Sequence, residues 1–160
     1  MKLIILGMDN TGKTTLSHQL SKELNLNIIN SCGPKVTKEE MDNFIINNIL
    51  SPEDLIFERF CFFEEMVYGP IIRGKSKFNF KDDLFKNILN SDATIIYCRP
   101  SKKVIKNWQN REQMDGVIDN SDKLIKKYDK VIRKAQKHGM KVIKYNYKKE
   151  TVFDVIAKLS

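Results

Sequence analysis

The most informative stretch of this sequence is Gly7-Met8-Asp9-Asn10-Thr11-Gly12-Lys13-Thr14. It matches the phosphate-loop pattern G-x-x-x-x-G-K-[ST] in full, directly after an apolar run and directly before an amphipathic pattern of helical period. The glycines let the backbone turn so that successive N–H groups point at phosphate oxygens, and the start of the following helix adds partial positive charge. We therefore predict a nucleoside triphosphate site with Lys13 at the β- and γ-phosphates and Thr14 at Mg²⁺.

The predicted triphosphate, taken as ATP, contacts most of this loop. The residues predicted to bind it are Gly7, Asn10, Thr11, Gly12, Lys13, Thr14 and Thr15. Thr15 also fits the first turn of the helix. His18 lies off the stripe formed by Leu16, Leu20 and Leu24, so we expect it to face solvent without a catalytic role.

Strand and helix patterns alternate along the whole chain. Predicted strands cover Lys2–Leu6, Asn27–Asn30, Asp54–Glu58, Thr94–Cys98 and Lys141–Tyr147. Predicted helices cover Lys13–Leu24, a segment capped by Thr37, Phe62–Val67, Lys81–Leu89, Ser121–His138 and a segment opened by Thr151 with Asp154. This alternation predicts an α/β, three-layer P-loop NTPase fold, with a five-stranded parallel sheet flanked by helices in one domain over 1–160. Pattern alone leaves the strand order open.

Composition narrows the class of protein. With 160 residues, 41% of them hydrophobic and 30% charged, the chain suits a single folded domain. Its longest apolar run, Leu3–Leu6, is too short for a membrane span or a signal peptide, so we expect a cytoplasmic protein without a membrane partner. The cysteines Cys32, Cys61 and Cys98 lack metal-binding spacing, and we expect reduced thiols.

Positive charge is concentrated in the last third of the chain. Residues 1–100 hold 12 basic and 13 acidic side chains, whereas residues 101–160 hold 16 basic and 7 acidic ones. Many of these cations fall on the predicted helix Ser121–His138, opposite its apolar stripe. Such a face indicates either a polyanionic partner, a nucleotide or a nucleic acid, or simply a solvated helix surface.

A second polar element follows the predicted third strand. Leu55-Ile56-Phe57 runs into Glu58-Arg59-Phe60, at the strand end where ligands bind in open α/β sheets. Glu58 can hold water on Mg²⁺ or act as a base, and Arg59 can bind the phosphate of an acceptor with two hydrogen bonds. The Asn-Lys-x-Asp element with which GTPases read guanine does not occur in the sequence.

These motifs resemble those of thymidylate kinases and the related deoxynucleoside kinases, including small virus-encoded members. The likeness rests on the loop residues Gly7, Asp9, Gly12, Lys13, Thr14 and Thr15, on the acidic–Arg–Phe step at 58–60, and on the stretch Glu65–Gly74. It implies that Asp9 receives the sugar 3′-hydroxyl and Arg59 the acceptor phosphate, which Arg73 also reaches. It further implies that Phe44, Phe63 and Tyr68 wall the base, that the site of action is the cytoplasm of the cell or of a host, and that the chain forms a homodimer.

The sequence departs from that family pattern in two places. Asn10 stands where some thymidylate kinases have a loop arginine, and relatives without it carry arginines in a lid over the transferred phosphate. The resemblance therefore implies a lid around 100–118, and its candidate catalytic residues are Arg99, Lys102, Lys103 and Arg111. Glu58 stands where thymidylate kinases usually have Asp, which is closer to the nucleoside kinases.

The acceptor can be argued from chemistry. A nucleoside 5′-hydroxyl benefits from a carboxylate base, and the predicted second strand is followed by no acid until Glu39. A monophosphate brings its own ionised nucleophile, which favours a deoxynucleoside monophosphate such as dTMP. A deoxynucleoside kinase, a kinase or ATPase acting on nucleic acid through the basic last third, and a nucleotide-sensing module without turnover stay open as alternatives.

Overall fold

A computed structural model describes residues 1–31, 36–107 and 118–160. Its centre is a five-stranded sheet in which every pairing between neighbours is parallel, with strand order β2-β3-β1-β4-β5. The strands are β1 (Lys2–Leu6), β2 (Asn27–Asn30), β3 (Leu55–Glu58), β4 (Thr94–Cys98) and β5 (Lys141–Tyr145). The predicted α/β fold with a five-stranded parallel sheet is confirmed, and the structure supplies the strand order that pattern left open.

Helices connect these strands and cover both faces of the sheet. They are α1 (Lys13–Leu24), α2 (Lys38–Ile49), α3 (Cys61–Tyr68), α4 (Asp83–Asn90), α5 (Lys102–Ile105), α6 (Ser121–Lys137) and α7 (Val152–Leu159). None of the helices in the described part of the chain is both long and apolar enough to cross a membrane.

Alternate residues of each strand feed two separate hydrophobic cores. In β1, Ile4 and Leu6 pack on the side that holds α2, α3, α4 and α6, whereas Leu3 and Ile5 pack on the side of α1 and α7. All five residues of β1 are buried, and after Lys2 the strand is a continuous apolar run, as expected for a central parallel strand. Because β3, β1 and β4 are adjacent and parallel, their carboxyl ends lie side by side at the same end of the sheet.

Local signals in the sequence set most helix ends. The Thr37 side chain accepts a hydrogen bond from the Glu40 amide at 3.2 Å and begins α2. The Thr151 amide donates to Asp154 at 2.7 Å and begins α7. At the end of α6, Gly139 has φ of 103° and the amide of Met140 returns to the Ala135 carbonyl at 3.1 Å, a helix end that favours glycine.

Several features differ from the sequence prediction, among them small shifts at the ends of β3, α3, α4 and α6. β5 ends at Tyr145 instead of Tyr147, because Asn146 opens a turn in which its side-chain oxygen accepts from the Lys148 amide at 3.0 Å. The short helix α5 was not predicted. A π-helix over Gly69–Arg73 continues α3, where Gly-Pro would ordinarily suggest a break.

Candidate nucleotide-binding site

The P-loop adopts a conformation that its glycines require. Gly7 has φ of 149°, and a Cβ there would lie 2.5 Å from the carbonyl oxygen of Cys98 at the end of β4. Gly12 has φ of 83°, and a Cβ there would lie 3.1 Å from the ring of Tyr147. Both positions therefore exclude larger residues, for backbone conformation and for space. The loop turns directly from β1 into α1, as the motif predicts.

The loop encloses a cavity of about 160 Å³. It is lined by every residue from Asp9 to Thr15 and by Arg59, which lies directly after β3. The P-loop after β1 and Arg59 after β3 therefore meet at one cavity, as predicted for segments that follow neighbouring parallel strands. The cavity suits a chain of phosphates better than a whole nucleotide, because small-molecule pockets usually exceed about 300 Å³.

Lys13 lies beneath this cavity. Its side chain is buried, with 4% of the residue exposed, and its ammonium group donates a hydrogen bond to the Met8 carbonyl. Burial, reinforced by the positive charge of Arg59, lowers the pKa of Lys13 from 10.5 to about 8. A phosphate group in the cavity would supply the negative charge that favours the protonated amine.

Thr14 and Glu58, the two predicted metal ligands, are in direct contact. The Thr14 hydroxyl donates to Oε1 of Glu58 at 2.5 Å. The register of the sheet explains the contact, because Glu58 pairs with Ile5 just before the P-loop begins. A hydroxyl and a carboxylate are hard oxygen donors, and Mg²⁺ is commonly held by one or two such groups together with phosphate oxygens and water. The pair therefore fits the predicted Mg²⁺ site.

Arg59 is held in an unusual backbone conformation. Its φ is 60°, a region that residues with a Cβ rarely occupy, and its amide donates to the Ile5 carbonyl at 3.1 Å. Its guanidinium forms an ion pair with Asp9 in the P-loop. Burial alone would lower the pKa of Arg59, but the negative charges of Glu64 and Asp9 hold that pKa above its ordinary value. This conformation aims the side chain into the P-loop cavity.

A carboxyl group that the sequence analysis missed lies behind Arg59. Glu64, in the first turn of α3, accepts the Tyr128 hydroxyl from α6 at 2.7 Å. Burial raises the pKa of Glu64, although the charges of Arg59 and Lys13 act in the opposite direction. The sequence signal was a pair of adjacent acidic residues, Glu64 and Glu65, within an otherwise largely apolar segment. Glu64 thus links the site to the α3–α6 contact.

Asn10 holds the P-loop against α5. Its φ is 63°, and its side-chain amide donates to the carbonyls of Val104 and Asn107, both at 2.9 Å. A weaker contact to the Ile105 carbonyl is 3.4 Å long. These carbonyls lie at and just after the end of α5, so the Asn10 side chain holds the P-loop against that helix end.

A second hollow of about 180 Å³ adjoins the P-loop cavity. It shares Asn10, Gly12 and Thr15 with that cavity, and Tyr145 and Tyr147 form its far side. The aromatic rings offer surfaces on which a planar ring can stack. Sequence reasoning did not assign these tyrosines to the site, because it placed both within the last strand.

The aromatic residues proposed to wall a base occupy different environments. Phe63 is fully buried and packs against Phe60 and Phe62, so the structure assigns it to the core instead of an accessible wall. Phe44 is half-buried on α2. Tyr68 is half-buried, and its hydroxyl has no hydrogen-bond partner in the described part of the chain. Their contacts with a base stay predictions.

Arg73 forms an ion pair with Glu65, a residue that is only 5% exposed. The same carboxylate oxygen accepts the Lys77 amide at 3.1 Å. Gly69 lies against this turn so closely that a Cβ would approach the Lys75 carbonyl to 2.5 Å. Arg73 therefore fastens the segment after the π-helix, and its predicted contact with an acceptor phosphate stays a prediction.

The predicted lid residues differ in their contacts: two form ion pairs, one is exposed, and one lies outside the described residues. Arg99 bonds to Asp129 of α6 through Nε at 3.0 Å and Nη2 at 3.2 Å. Lys102 approaches Asp122 to 3.4 Å, and Lys103 is exposed. Arg111 lies outside the described residues, as does most of the predicted lid around 100–118. Any lid function stays a prediction.

Several smaller predictions can be compared with the structure. His18 is exposed and Leu16 and Leu20 are buried, as expected. Cys61 and Cys98 are buried, and burial raises the pKa of Cys98 to about 12, whereas Cys32 lies outside the described residues. The cationic side chains of α6 are mostly exposed. They are Lys123, Lys126, Lys127, Lys130, Arg133, Lys134 and Lys137.

The sheet order, the P-loop and the polar residues after β3 together give this chain the fold of P-loop kinases. Among solved structures, it is similar to YorR from Bacillus subtilis in complex with phosphorylated GDP, with a TM-score of 0.80 and 20% identity over 99% of this chain and 95% of that one. It is similar to deoxyadenosine kinase from M. mycoides with bound dATP, with a TM-score of 0.65 and 17% identity over 99% of each chain. Thymidylate kinase from Candida albicans gives a TM-score of 0.58 and 13% identity over 99% of this chain and 88% of that one.

Sequence comparisons add less than the structural ones. The model of the ADP-ribosylation factor (Arf) family matches residues 1–49, which run from β1 to the end of α2 and include the P-loop. A search of curated protein sequences found no significant match. The similarities therefore establish a fold shared with nucleoside and nucleotide kinases.

Proposed function

We propose that this protein transfers the γ-phosphoryl group of ATP to a deoxynucleoside monophosphate, with a dTMP-like acceptor as the first candidate. The observation that carries the proposal is Arg59 beside Asp9 at the P-loop cavity, in a backbone conformation that only a surrounding structure can hold. A guanidinium fixed opposite the triphosphate site is suited to hold the phosphate that receives the γ-group.

The donor occupies the two adjoining hollows. Its phosphates lie in the P-loop cavity above Lys13, and its base lies toward Tyr145 and Tyr147. Mg²⁺ held by Thr14 and Glu58 neutralises negative charge on the phosphates when it is bound. YorR is in complex with phosphorylated GDP, so guanine triphosphates belong beside ATP among the donors to be tested.

The transfer step needs orientation and charge neutralisation more than bond-making by the protein. An oxygen of the acceptor phosphate attacks the γ-phosphorus, the bond to the β-γ bridging oxygen breaks, and ADP leaves. Lys13 balances charge on the donor phosphates, and Arg59 orients the attacking phosphate. Asp9 is then available to accept a hydrogen bond from the sugar 3′-hydroxyl.

The position of Glu58 favours a monophosphate over a nucleoside. A nucleoside 5′-hydroxyl needs a base, and Glu58, the last residue of β3, is the acid that the sequence offers for this role. Its Oε1 accepts the Thr14 hydroxyl at 2.5 Å, so this oxygen is committed to the predicted metal side of the site. A monophosphate needs no base because its phosphate is already ionised.

A deoxynucleoside acceptor is the second candidate, and one observation favours it. Glu64 carries a carboxyl whose pKa is raised by burial, and its charge acts on both Arg59 and Lys13. A carboxyl whose pKa is shifted beside cationic residues of a site is a candidate functional group. The M. mycoides enzyme with the same fold is a deoxyadenosine kinase.

Measurement of ADP release over a panel of deoxynucleosides, deoxynucleoside monophosphates and DNA 5′-hydroxyl ends tests the proposal. We expect turnover with one or more monophosphates, none with Lys13→Ala, and a roughly 10- to 100-fold higher KM for the monophosphate with Arg59→Lys at little change in the KM for ATP. Turnover with nucleosides alone would support the second candidate. Turnover with DNA ends alone, or ATP binding without turnover, would contradict both.

A further inference from the structure

A cavity on the opposite face of the sheet from the Tyr145 and Tyr147 hollow has no part in the proposed reaction. Its volume is about 280 Å³, larger than the P-loop cavity, and it lies between α6 and the ends of β4 and β5. Its lining includes Tyr97, Arg99, Asp129, Arg133, Gln136 and Lys144. None of these residues lines the P-loop cavity or the hollow beside it.

The charges around this cavity are mostly positive. Arg99, Arg133 and Lys144 face a single carboxylate, Asp129. Asp129 already accepts three hydrogen bonds, one from the Tyr97 hydroxyl at 2.6 Å and two from Arg99. Burial opposes ionisation, but the hydrogen bonds from Arg99 and Tyr97 prevail and lower the pKa of Asp129, which therefore stays charged and balances Arg99.

Two further cations at the cavity form no ion pair with the described residues, although the charge of Lys144 helps to lower the pKa of Asp129. Neither Arg133 nor Lys144 forms an ion pair with any residue in the described part of the chain. Both side chains are exposed and lie at the same cavity, one from α6 and one from β5. Like charges brought together at a concave surface raise the local potential and attract an anion.

Arg99 provides a fixed donor at the same place. Its Nε and Nη2 bond to Asp129, its Nη1 donates to the Pro100 carbonyl at 2.6 Å, and its backbone amide bonds to the Tyr145 carbonyl at 2.8 Å. A guanidinium has five N–H groups, so two stay available after these three side-chain bonds. Because the side chain is already ordered, a ligand that uses these donors loses little further conformational entropy.

From this geometry we propose that the cavity binds a small phosphorylated sugar, with the phosphate between Arg133 and Lys144. A volume of about 280 Å³ lies just below the usual range for small-molecule pockets, which suits a pentose phosphate better than a whole nucleotide. Gln136 offers an amide to sugar hydroxyls, and Ile132 offers an apolar surface to the ring. The ligand class follows from the two unpaired cations and the available volume, and it does not depend on the kinase proposal.

Titration of ¹⁵N-labelled protein with ribose 5-phosphate, followed by amide chemical shifts, tests the proposal. We expect shifts at Tyr97, Arg133 and Lys144, and at least about tenfold weaker binding in the double variant Arg133→Ala/Lys144→Ala. Both substituted side chains are exposed, so the variant should fold, which circular dichroism checks. Lys123→Ala, which removes another exposed cation of α6 about 15 Å along the helix from Arg133, should change the affinity less than about twofold.

Two further arms distinguish binding at this cavity from binding at the P-loop and from a nucleic-acid surface. Lys13→Ala should leave the shifts at Arg133 and Lys144 unchanged, and ribose without phosphate should produce none. Binding that disappears with Lys13→Ala would place the sugar phosphate in the P-loop and overturn the proposal, as would equal binding of ribose. Shifts spread along all of α6 with an oligo-dT strand, and none with ribose 5-phosphate, would overturn it in favour of a nucleic-acid surface.

Discussion

The Thr14 hydroxyl lies 2.5 Å from Oε1 of Glu58 and joins the last position of the P-loop to the end of β3. The contact depends on strand order, because β3 is the direct neighbour of β1 and the register sets Glu58 against Ile5. The Thr14 hydroxyl and the Glu58 carboxylate thus lie side by side where the predicted triphosphate and Mg²⁺ would meet.

Glu58→Gln should therefore weaken the response to Mg²⁺. The amide keeps the size of the side chain but loses the negative charge, so we expect the Mg²⁺ concentration for half-maximal turnover to rise about tenfold or more. Metal titration of the ADP-release rate measures the effect. Glu53→Gln removes an exposed acid near the other end of β3 and should leave the titration unchanged. Equal Mg²⁺ titrations of Glu58→Gln and the parent protein would exclude Glu58 from the metal site.

The loop and the layer architecture could be predicted because they depend on local signals. The P-loop motif and the cap at Thr37 each act within a few residues, and each has the predicted conformation. The sheet follows from apolar runs of strand length, and only its order needed the structure.

Long-range partners could not be predicted in the same way. Glu64 meets Tyr128 and Arg99 meets Asp129 only because α6 packs beside α3 and β4, and no sequence spacing relates them. The packing of Phe63 could not be predicted either. The family resemblance implies that it walls the base, whereas in the structure its side chain is fully buried in the core.

Nucleotide affinity should decrease as the pH rises above about 8. Burial and the charge of Arg59 lower the pKa of Lys13 to about 8 in the ligand-free protein, whereas a bound phosphate favours the protonated form and raises that pKa. Binding at higher pH then requires uptake of a proton, so we expect affinity about eightfold weaker at about pH 9 than at about pH 7.5.

Calorimetry in buffers of different ionisation enthalpy measures this proton uptake directly. Lys13→Arg gives the control, because a guanidinium stays charged over the whole range, and its profile should be flat even where binding is weaker. The same dependence on pH in Lys13→Arg as in the parent protein would assign the effect to another group.

Asn10→Ala should destabilise the protein more than Asn10→Gly. Both changes remove the hydrogen bonds to Val104 and Asn107, which lie at the end of α5. Alanine must in addition adopt φ of 63°, and we expect this to cost about 1 kcal/mol beyond the loss shared with glycine. Urea denaturation gives both free energies of unfolding. Equal values for the two variants would show that the loop relaxes to another conformation once the side chain is gone.

Tyr128→Phe should destabilise the protein more at neutral pH than at acidic pH. The Tyr128 hydroxyl donates to Glu64, so its removal leaves a buried carboxylate without this donor and raises the pKa of Glu64 further. Burial already raises that pKa above 4.5, the value for an unperturbed Glu. Between the ordinary and the raised pKa, the folded state binds more protons than the unfolded state, and its stability decreases as the pH rises.

Because Tyr128→Phe raises the pKa of Glu64 further, the pH range over which the folded state loses stability extends to higher pH. The difference in unfolding free energy between parent and variant should therefore grow as the pH rises through that range. Urea denaturation at a series of pH values measures that difference. Glu64→Gln removes the titrating group, and in this background Tyr128→Phe should have an effect independent of pH over the same range. If Tyr128→Phe shows the same pH dependence in the Glu64→Gln background as in the parent protein, the titration belongs to a group other than Glu64.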